Sequence, residues 1–307
     1  MGKYMGVDVG GTNIKFGIFS EEGELLRKWQ ILTSCHEGET KIWKNIRDEI
    51  FHSTILDELK GIGIGIPGPV LENGFVEVCV NLGLHNFNPV TILKEYFPNI
   101  KIAAVNDANA AALGEQWKGS GQGYQSICMV TLGTGVGGAV ILDGKLRYGA
   151  NGMSGELSHI PLNPEETDLC TCGAKGCIDQ IASATGIVRH AKKVLETGTD
   201  DSVLRKQRCL SAKMIIDAAK QGDQVADQIV RHCMKYLAKA LAAVTYIVDP
   251  EAFIVGGGVS NAGEYLINMI QEYYDSCITL SKKTALVVKA SLGNDAGIYG
   301  AAKIVMN

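Results

Sequence analysis

The sequence of 307 residues lacks any apolar run of about 18 residues, the length that a membrane-spanning helix needs. Its first residues, MGKYMGVDVGG, lack the apolar core of a signal peptide, and Gly6 stands where a myristoylation signal has Ser or Thr. Positive charge is not in excess either, because the formal net charge is −4. We therefore expect a cytoplasmic protein with neither membrane nor nucleic acid as a partner.

Proline is scarce and glycine is abundant, with 7 prolines against 37 glycines. Glycine permits tight turns and a close approach of the backbone to a ligand, as phosphate sites require. Apolar residues make up 46% and charged residues 20% of the chain, which excludes disordered, collagen-like and coiled-coil classes. The length predicts about two domains.

Two common nucleotide-binding motifs are absent or incomplete. No G-x-x-x-x-G-K-[ST] string occurs, which excludes a Walker-type phosphate loop. Two G-x-G-x-x-G strings are present, over residues 63–68 and 133–138. A dinucleotide site needs a helix directly after the glycines, but Pro67-Gly68-Pro69 and the strand-like segment AVIL stand there instead. Dinucleotide binding is therefore not expected.

Hydrophobic periodicity predicts an α/β protein with an internal repeat. The segments Val7–Ile18 and Val130–Ile141 share the pattern of strand, glycine-rich turn and strand. Two similar α/β halves facing each other across a cleft would follow, with a hinge near Trp117–Gln125. Further strands are predicted at Ile62–Ile66, Ile100–Val105, Ala252–Val255 and Ala285–Lys289, and helices at Thr40–Leu59, Ala108–Leu113, Asp223–Val248 and Asn294–Val305.

Three glycine-rich turns follow predicted strands and are candidate phosphate loops. In the first, Asp8–Lys15, backbone N–H groups could surround an anion while Asp8 holds Mg²⁺ or its water shell. An ordinary hairpin turn is the alternative for this segment, and a strand-surface position is favoured for Lys15. The other two turns are Thr131–Gly138 and Gly256–Ser260. Each turn alone is a weak signal, but three in this order are improbable by chance.

A cluster of cysteines predicts a structural zinc site. Cys170, Cys172 and Cys177 lie within eight residues, and His159 precedes them by 11 residues. One nitrogen and three sulfur ligands match tetrahedral Zn²⁺, and a cation would neutralise the gathered thiolates. A reduced, partly buried cysteine loop is the alternative. The other six cysteines are scattered, and we predict that they are small core residues without disulfides.

Taken together, these motifs resemble the ROK family of sugar kinases, most of all its bacterial glucokinases. The resemblance covers essentially the whole chain, and the unit from GELSH to CTCGAKGC is its most distinctive part. It implies the two-domain fold of hexokinase, actin and Hsp70 (ribonuclease H-like), closing over ATP and a sugar. The matching segments are DVGGTNIK, GIPGPV, VNL, NDANAAALGE, TLGTGVGGA, GELSHI, CTCGAKGC and IVGGGVS.

The resemblance also implies roles for individual residues. Asp107 would be the catalytic base that accepts the proton of the sugar 6-hydroxyl, and His159 would contact the sugar as well as zinc. The other implied sugar contacts are Gly68, Asn81, Asn106, Glu156 and Asp179. The implied nucleotide-binding residues are Asp8, Gly10, Gly11, Thr12 and Lys15 in the first loop, Thr134 and Gly135 in the second, and Gly256, Gly257 and Gly258 in the adenosine motif.

One departure from the family concerns Asp179. The family usually has Glu two residues after the last zinc cysteine, so this carboxylate reaches one methylene less far toward the anomeric end of the sugar. The implied domains are a smaller one, residues 1–118 with 293–307, and a larger one, residues 119–292 with the zinc loop. A homodimer or homotetramer is implied as well.

Each proposed site residue also has a purely structural alternative. Asp107 follows a strand and precedes a helix, so it could simply cap that helix. Glu156 could be a solvent-facing carboxylate, His159 a core histidine and Asn81 a turn residue.

We expect ATP-dependent phosphorylation of glucose to glucose 6-phosphate, with Mg²⁺ as the nucleotide's ion and Zn²⁺ as a structural ion. The nearest rival is the same reaction on mannose, fructose, allose or an N-acetylhexosamine. A sugar-responsive repressor is a rival of another class, but the first loop begins at Asp8 and leaves no room for a preceding helix-turn-helix. A catalytically inactive sugar-binding protein is the third alternative, and the presence of Asp107 with both phosphate loops counts against it.

Overall fold

The computed structural model describes residues 2–34, 39–53 and 55–306, which form two compact units. Unit 1 comprises Met1–Gly123, Leu146–Ser154 and Leu292–Asn307, and unit 2 comprises Tyr124–Lys145 and Gly155–Ser291. Cys35, one of the predicted core cysteines, lies outside the described residues. In the part of the chain that is described, none of the helices has both the length and the apolar composition that crossing a bilayer requires.

Strands and helices alternate along the chain, as an α/β fold requires. The strands are β1 (Lys3–Val9), β2 (Asn13–Ser20), β3 (Leu25–Leu32), β4 (Leu59–Ile66), β5 (Val76–Cys79), β6 (Leu84–Phe87), β7 (Lys101–Asn106), β8 (Ile127–Leu132), β9 (Val136–Leu142), β10 (Lys145–Leu146), β11 (Ala252–Gly256) and β12 (Leu286–Lys289). The helices are α1 (Glu39–His52), α2 (Pro89–Lys94), α3 (Asp107–Lys118), α4 (Asp179–Ala182), α5 (Ala184–Thr197), α6 (Ala212–Lys220), α7 (Gln224–Val248), α8 (Glu264–Cys277) and α9 (Ala296–Met306).

The main sheets of the two units have the same topology. The strand order is β3-β2-β1-β4-β7 in the first sheet and β10-β9-β8-β11-β12 in the second. In each sheet an antiparallel hairpin, β1–β2 or β8–β9, is extended by two parallel strands. The internal repeat predicted from Val7–Ile18 and Val130–Ile141 is therefore confirmed. β5 and β6 form a separate antiparallel hairpin.

Neither G-x-G-x-x-G string opens a dinucleotide-binding turn. The first lies within β4 and the turn that follows it, and the second spans the β8–β9 hairpin. The helix that a pyrophosphate site needs follows neither string, as the sequence predicts.

Helix α7 forms the centre of the unit 2 core, as its apolar periodicity predicts. The Asp223 side chain accepts a hydrogen bond of 2.9 Å from the Ala226 amide and caps the first turn. Asp249, with a φ of 44°, ends the helix directly before Pro250. The buried stripe consists of Val225, Ile229, Cys233, Leu237 and Leu241.

The predicted helix Thr40–Leu59 is too long. Helix α1 ends at His52, a short 3₁₀ turn covers Leu56–Glu58, and β4 already begins at Leu59. The Ser53 hydroxyl donates to the Ile50 carbonyl at 2.6 Å, in the turn where the helix ends. Ile55 is buried in the connection that leads from α1 to the sheet and is not part of the helix. Its helical spacing therefore made the predicted helix too long.

Helices α3 and α9 approach closely because small residues line their contact in unit 1. A Cβ added at Gly300 of α9 would overlap the carbonyl oxygen of Ala110 on α3. A Cβ added at Gly63 of β4 would overlap the carbonyl oxygen of Ala301 in the same way. These backbone contacts leave no room for a methyl group and fix the distance of α9 from its neighbours.

Gly300→Ala tests this contact. Alanine favours a helix over glycine by about 0.5–1 kcal/mol, but here its methyl group would force α3 and α9 apart. We expect a net loss of about 1–3 kcal/mol in the free energy of unfolding, measured by urea titration. Lys192→Ala at an exposed position of α5 is the control and should change stability by less than about 0.5 kcal/mol. A stabilised Gly300→Ala variant would show that the contact is not tight.

Candidate active site

The carboxyl ends of three parallel strands place the predicted catalytic residues on one edge of the unit 1 sheet. β1 pairs with β4, and β4 pairs with β7, both in parallel register. Asp8 near the end of β1 lies opposite Gly65, and Ile66 at the end of β4 lies opposite Asn106. The first phosphate loop, the GIPGPV turn and Asp107 therefore follow neighbouring strands, at the edge where open α/β sheets bind ligands.

Asn106, and not Asp107, caps helix α3. The Asn106 Oδ1 accepts hydrogen bonds from the amides of Ala108 at 2.9 Å and Asn109 at 3.1 Å. Its Nδ2 donates to the Gly68 carbonyl at 2.9 Å and to the Asp107 Oδ1 at 3.0 Å. The side chain thus uses both amide hydrogens and accepts two hydrogen bonds within unit 1, which fixes its orientation.

Asp107 is the first residue of α3, and its side chain is exposed. Its Oδ1 accepts from the Asn106 Nδ2 and from the Ala108 amide at 2.9 Å. The N-terminus of a helix stabilises negative charge, which suits an acidic residue at this position. Asn106 is thus the main cap of α3, and the Asp107 carboxylate shares the Ala108 amide with it.

Gly68 and Asn81 occupy turns of unit 1. Gly68 has a φ of 96°, and a Cβ on it would lie 2.8 Å from the Val78 carbonyl oxygen, so a side chain fits neither the conformation nor the space. Asn81 is exposed in a 3₁₀ turn between β5 and β6. Its carbonyl oxygen lies 3.4 Å from the position of a Cβ on Gly11, which places Asn81 beside the first phosphate loop.

The first phosphate loop is a tight turn between β1 and β2 that β3 supports. The Gly10 amide donates to the Asn13 carbonyl at 2.9 Å. The Thr33 hydroxyl donates to the Gly10 carbonyl at 2.7 Å, and the Thr33 amide donates to the Thr12 carbonyl at 2.8 Å. These bonds hold the loop carbonyls away from its outer face, where Gly11 and Thr12 are exposed.

Asp8 and Lys15 form a partly buried ion pair beside this loop. The Lys15 Nζ lies 3.7 Å from the Asp8 Oδ2 and donates to the Asn294 carbonyl at 2.7 Å. Burial raises the pKa of Asp8 above its ordinary value, and Lys15 only partly offsets that effect. These contacts give Lys15 a structural role, and the Asp8 carboxylate would gain from a second nearby cation.

The second and third phosphate loops lie side by side in unit 2. They follow β8 and β11, which are parallel neighbours. Gly257 has a φ of 84°, and a Cβ on it would lie 2.5 Å from the Leu132 carbonyl oxygen. Only glycine fits there, so the close contact of the two loops depends on Gly257. Thr134 is exposed, while Gly256 ends β11 and Gly258 begins a 3₁₀ turn.

The predicted zinc ligands converge in unit 2. One ligand atom from each of His159, Cys170, Cys172 and Cys177 lies within 4.8 Å of all the others. The Cys172 and Cys177 sulfurs are 3.6 Å apart, and the His159 Nδ1 is 3.8 Å from the Cys170 sulfur. A tetrahedral zinc with bonds of about 2.3 Å separates its sulfurs by about 3.8 Å, so the cluster fits the ion.

The chemistry of the thiols also favours a cation. Burial and, to a smaller extent, the neighbouring cysteine sulfurs together raise the pKa of the Cys177 thiol to about 12. A bound dication would reverse this effect, because it stabilises the thiolate form. Gly173 and Gly176, with φ values of 86° and 76°, form the two turns that bring the sulfurs together.

Glu156 and Asp179 flank the zinc cluster in the chain. Glu156 precedes the 3₁₀ turn Leu157–His159, and its side chain does not cap that turn. Asp179 begins α4, and its Oδ1 accepts a hydrogen bond of 2.7 Å from the Val136 amide. One Asp179 oxygen is therefore already engaged within unit 2.

The cysteine loop is supported by residues that no sequence motif marks. The Gln180 Oε1 accepts from the amides of Gly176 at 2.9 Å and Cys177 at 3.2 Å. Arg189 of α5 donates to the Gln180 carbonyl and pairs with the buried Glu166. Burial alone would raise the pKa of Glu166, but Arg189, with help from the Asp168 amide and Lys193, lowers it to about 2. No local pattern signals this pairing, because Glu166 and Arg189 are 23 residues apart.

The duplicated sheets and the loops at their carboxyl edges define the hexokinase- and actin-like α/β fold. The chain belongs to the ROK family, whose model matches residues 4–307. It is 38% identical to the glucokinase of Halalkalibacterium halodurans, over 98% of this chain and 94% of that protein. It is 36% identical to the glucokinase of Thermotoga maritima, over 99% and 97% of the two chains.

A solved relative has the same architecture. The crystal structure of a ROK family glucokinase from Streptomyces griseus, in complex with glucose and AMPPNP, superimposes with a TM-score of 0.79 at 33% identity. The superposition covers 99% of each chain. The predicted fold class and family resemblance are therefore confirmed.

Metal analysis of the purified protein tests the cysteine cluster. We expect about one zinc per chain in the wild type and a clear loss in Cys177→Ser, because a hydroxyl does not replace a thiolate as a zinc ligand. Cys209→Ser removes an exposed cysteine outside the cluster and should keep the full zinc content. Equal zinc content in both variants would reject the assigned ligand set.

Proposed function

We propose that the chain is an ATP-dependent hexose kinase that transfers the γ-phosphoryl group of ATP to the 6-hydroxyl of glucose. The position of Asp107 carries this proposal: its exposed carboxylate stands on the sheet edge that also holds the first phosphate loop. The similarity to glucokinases supports glucose as the substrate.

Asp107 acts as the general base. It accepts the proton of the 6-hydroxyl while that oxygen bonds to the γ-phosphorus and the bond to the departing ADP breaks. The transition state is loose and spreads charge over the equatorial oxygens, so positioned N–H donors matter more than covalent chemistry. A positioned carboxylate base contributes a factor of roughly 10²–10⁴ to the rate. Asn106 holds this carboxylate through its 3.0 Å hydrogen bond.

The glycine loops bind the nucleotide. The first loop and Thr134 with Gly135 in the second take the phosphates, and Gly256–Gly258 takes the adenosine. Asp8 is the carboxylate that would hold Mg²⁺ or one of its water molecules, and this ion would neutralise phosphate charge when bound. The raised pKa of Asp8 supports this role, because a nearby cation stabilises the carboxylate and so offsets the effect of burial.

Glu156, His159 and Asp179 form hydrogen bonds with hydroxyl groups of the sugar, and the family resemblance also assigns Asn81 and Gly68 to the sugar. A site built for hydroxyl groups rejects sugars that lack one, because its own polar groups then stay unpaired. A structural Zn²⁺ on His159 and the three cysteines would fix the turn that carries Glu156. The family resemblance also predicts assembly into a homodimer or homotetramer.

Asp107→Asn tests the role of the base. The asparagine side chain keeps the size of aspartate and can still accept a hydrogen bond from the Ala108 backbone amide, but it cannot take a proton. We therefore expect kcat to fall by roughly 10²–10⁴-fold. The dissociation constant for glucose, measured by calorimetry, should change little. Asp57→Asn, at an exposed carboxylate of the same unit, should keep full turnover. Near-normal turnover in Asp107→Asn would reject this assignment.

A panel of sugars tests the substrate. We expect the highest kcat/KM for glucose, followed at a distance by mannose, fructose, allose and N-acetylglucosamine, because each of these alters a hydroxyl that the site would pair. Coupled detection of ADP, corrected for hydrolysis without sugar, provides the measurement. A higher kcat/KM for N-acetylglucosamine would assign the chain to hexosamine phosphorylation instead.

A further inference from the structure

Asp179 contacts the second phosphate loop directly. Its Oδ1 accepts a hydrogen bond of 2.7 Å from the Val136 amide. The same oxygen lies 2.9 Å from the position that a Cβ on Gly135 would occupy, so glycine there leaves the space for the carboxylate. A hydrogen bond to a charged acceptor is stronger than one between neutral groups. This bond therefore restrains the loop at the point where it enters β9.

The chain that follows Asp179 holds the rest of the same loop. The Ala184 amide donates to the Gly133 carbonyl at 2.8 Å, and the Thr185 hydroxyl donates to the Thr134 carbonyl at 2.6 Å. Loop residues from Gly133 to Val136 are thus bound at three points by the segment 179–185. All of these contacts lie within unit 2.

The segment 179–185 is itself rigid. The buried Ser183 hydroxyl donates to the Asp179 carbonyl at 2.5 Å and lies 3.0 Å from the Thr185 hydroxyl oxygen. The Ser183 Oγ also accepts from the Gly186 amide at 2.9 Å and caps α5. At its other end, the Gln180 amide donates to the Cys177 carbonyl at 3.0 Å. Hydrogen bonds and the covalent chain together therefore connect the cysteine cluster to the phosphate loop.

We propose that Asp179 is a positioning residue for the second phosphate loop. Its carboxylate holds the Val136 amide, and through it the residues that receive the nucleotide phosphates. Aspartate suits this role, because an additional methylene would carry the carboxylate past an amide that it now meets at 2.7 Å. This inference rests on the proposed nucleotide function of that loop and adds a function to a carboxylate otherwise assigned to the sugar.

Two variants at position 179 separate the two roles. Asp179→Asn keeps an oxygen that can accept from the Val136 amide, whereas Asp179→Ala removes the acceptor. For Asp179→Ala we expect the dissociation constant of AMPPNP with Mg²⁺, measured calorimetrically without sugar, to rise roughly 10- to 100-fold. Asp179→Asn should raise it less than about fivefold. Asp201→Ala, at an exposed carboxylate of unit 2, is the control and should leave it unchanged.

Two outcomes of these binding measurements would overturn the proposal. If neither variant changes AMPPNP affinity while both weaken glucose binding, Asp179 serves the sugar alone and the proposal is wrong. An equal loss of AMPPNP affinity in Asp179→Asn and Asp179→Ala would also overturn the acceptor role.

Hydrogen exchange gives a readout that needs no substrate. Asp179→Ala should speed exchange of the Val136 amide, and unchanged exchange would contradict the proposal. Thr185→Val removes the hydroxyl at nearly constant volume, so it should loosen residues 133–136 even if Asp179→Ala folds poorly. A chain that phosphorylates no hexose would refute the proposed function, yet these exchange rates would still decide whether Asp179 holds the loop.

Discussion

The parallel pairing of β1, β4 and β7 is the constraint on which the candidate active site depends. Because these strands run in the same direction, the turns that follow them emerge at one edge of the sheet. Asp8, Gly68 and Asp107 are far apart in the sequence and meet at this edge for that reason alone. Unit 2 repeats the arrangement with β8 and β11, and its two glycine loops also lie together. Sheet topology thus accounts for the grouping of the loops within each unit.

The second constraint is the pair of adjacent residues Asn106 and Asp107, whose side chains make different contacts. Asn106 accepts from the first two amides of α3 and binds the Gly68 carbonyl, so the cap does not depend on the Asp107 carboxylate, which accepts from the Ala108 amide as well. In the proposed mechanism, the order Asn-Asp provides a helix cap and a general base in consecutive residues.

Much of this arrangement could be predicted from the sequence. The glycine turns, the spacing of the cysteines and the stripe of α7 are local patterns, and local patterns survive in the fold. The end of α1 was mispredicted because Ile55 continues the helical spacing while its burial comes from the sheet. The local spacing of apolar residues does not show whether a side chain is buried by its own helix or by residues far away in the chain.

For the same reason, contacts between segments that are far apart in the chain could not be predicted from the sequence. The Arg189–Glu166 pair and the bond from Val136 to Asp179 join residues that only the fold brings together. Asp179 stands out in the sequence because the family usually has Glu there. The sequence alone could not show that its carboxylate accepts a hydrogen bond from the Val136 amide. The direction of a side chain depends on its neighbours in space, which one sequence does not display.

In the proposed reaction, one exposed carboxylate and a set of backbone amides move a phosphoryl group to a sugar alcohol. Phosphorus NMR of the wild-type protein with ATP, Mg²⁺ and glucose follows this transfer. We expect a sugar phosphate signal, identical to that of glucose 6-phosphate, that grows as the γ-phosphate signal of ATP declines. Release of inorganic phosphate alone, or no change with any common hexose or hexosamine, would contradict it.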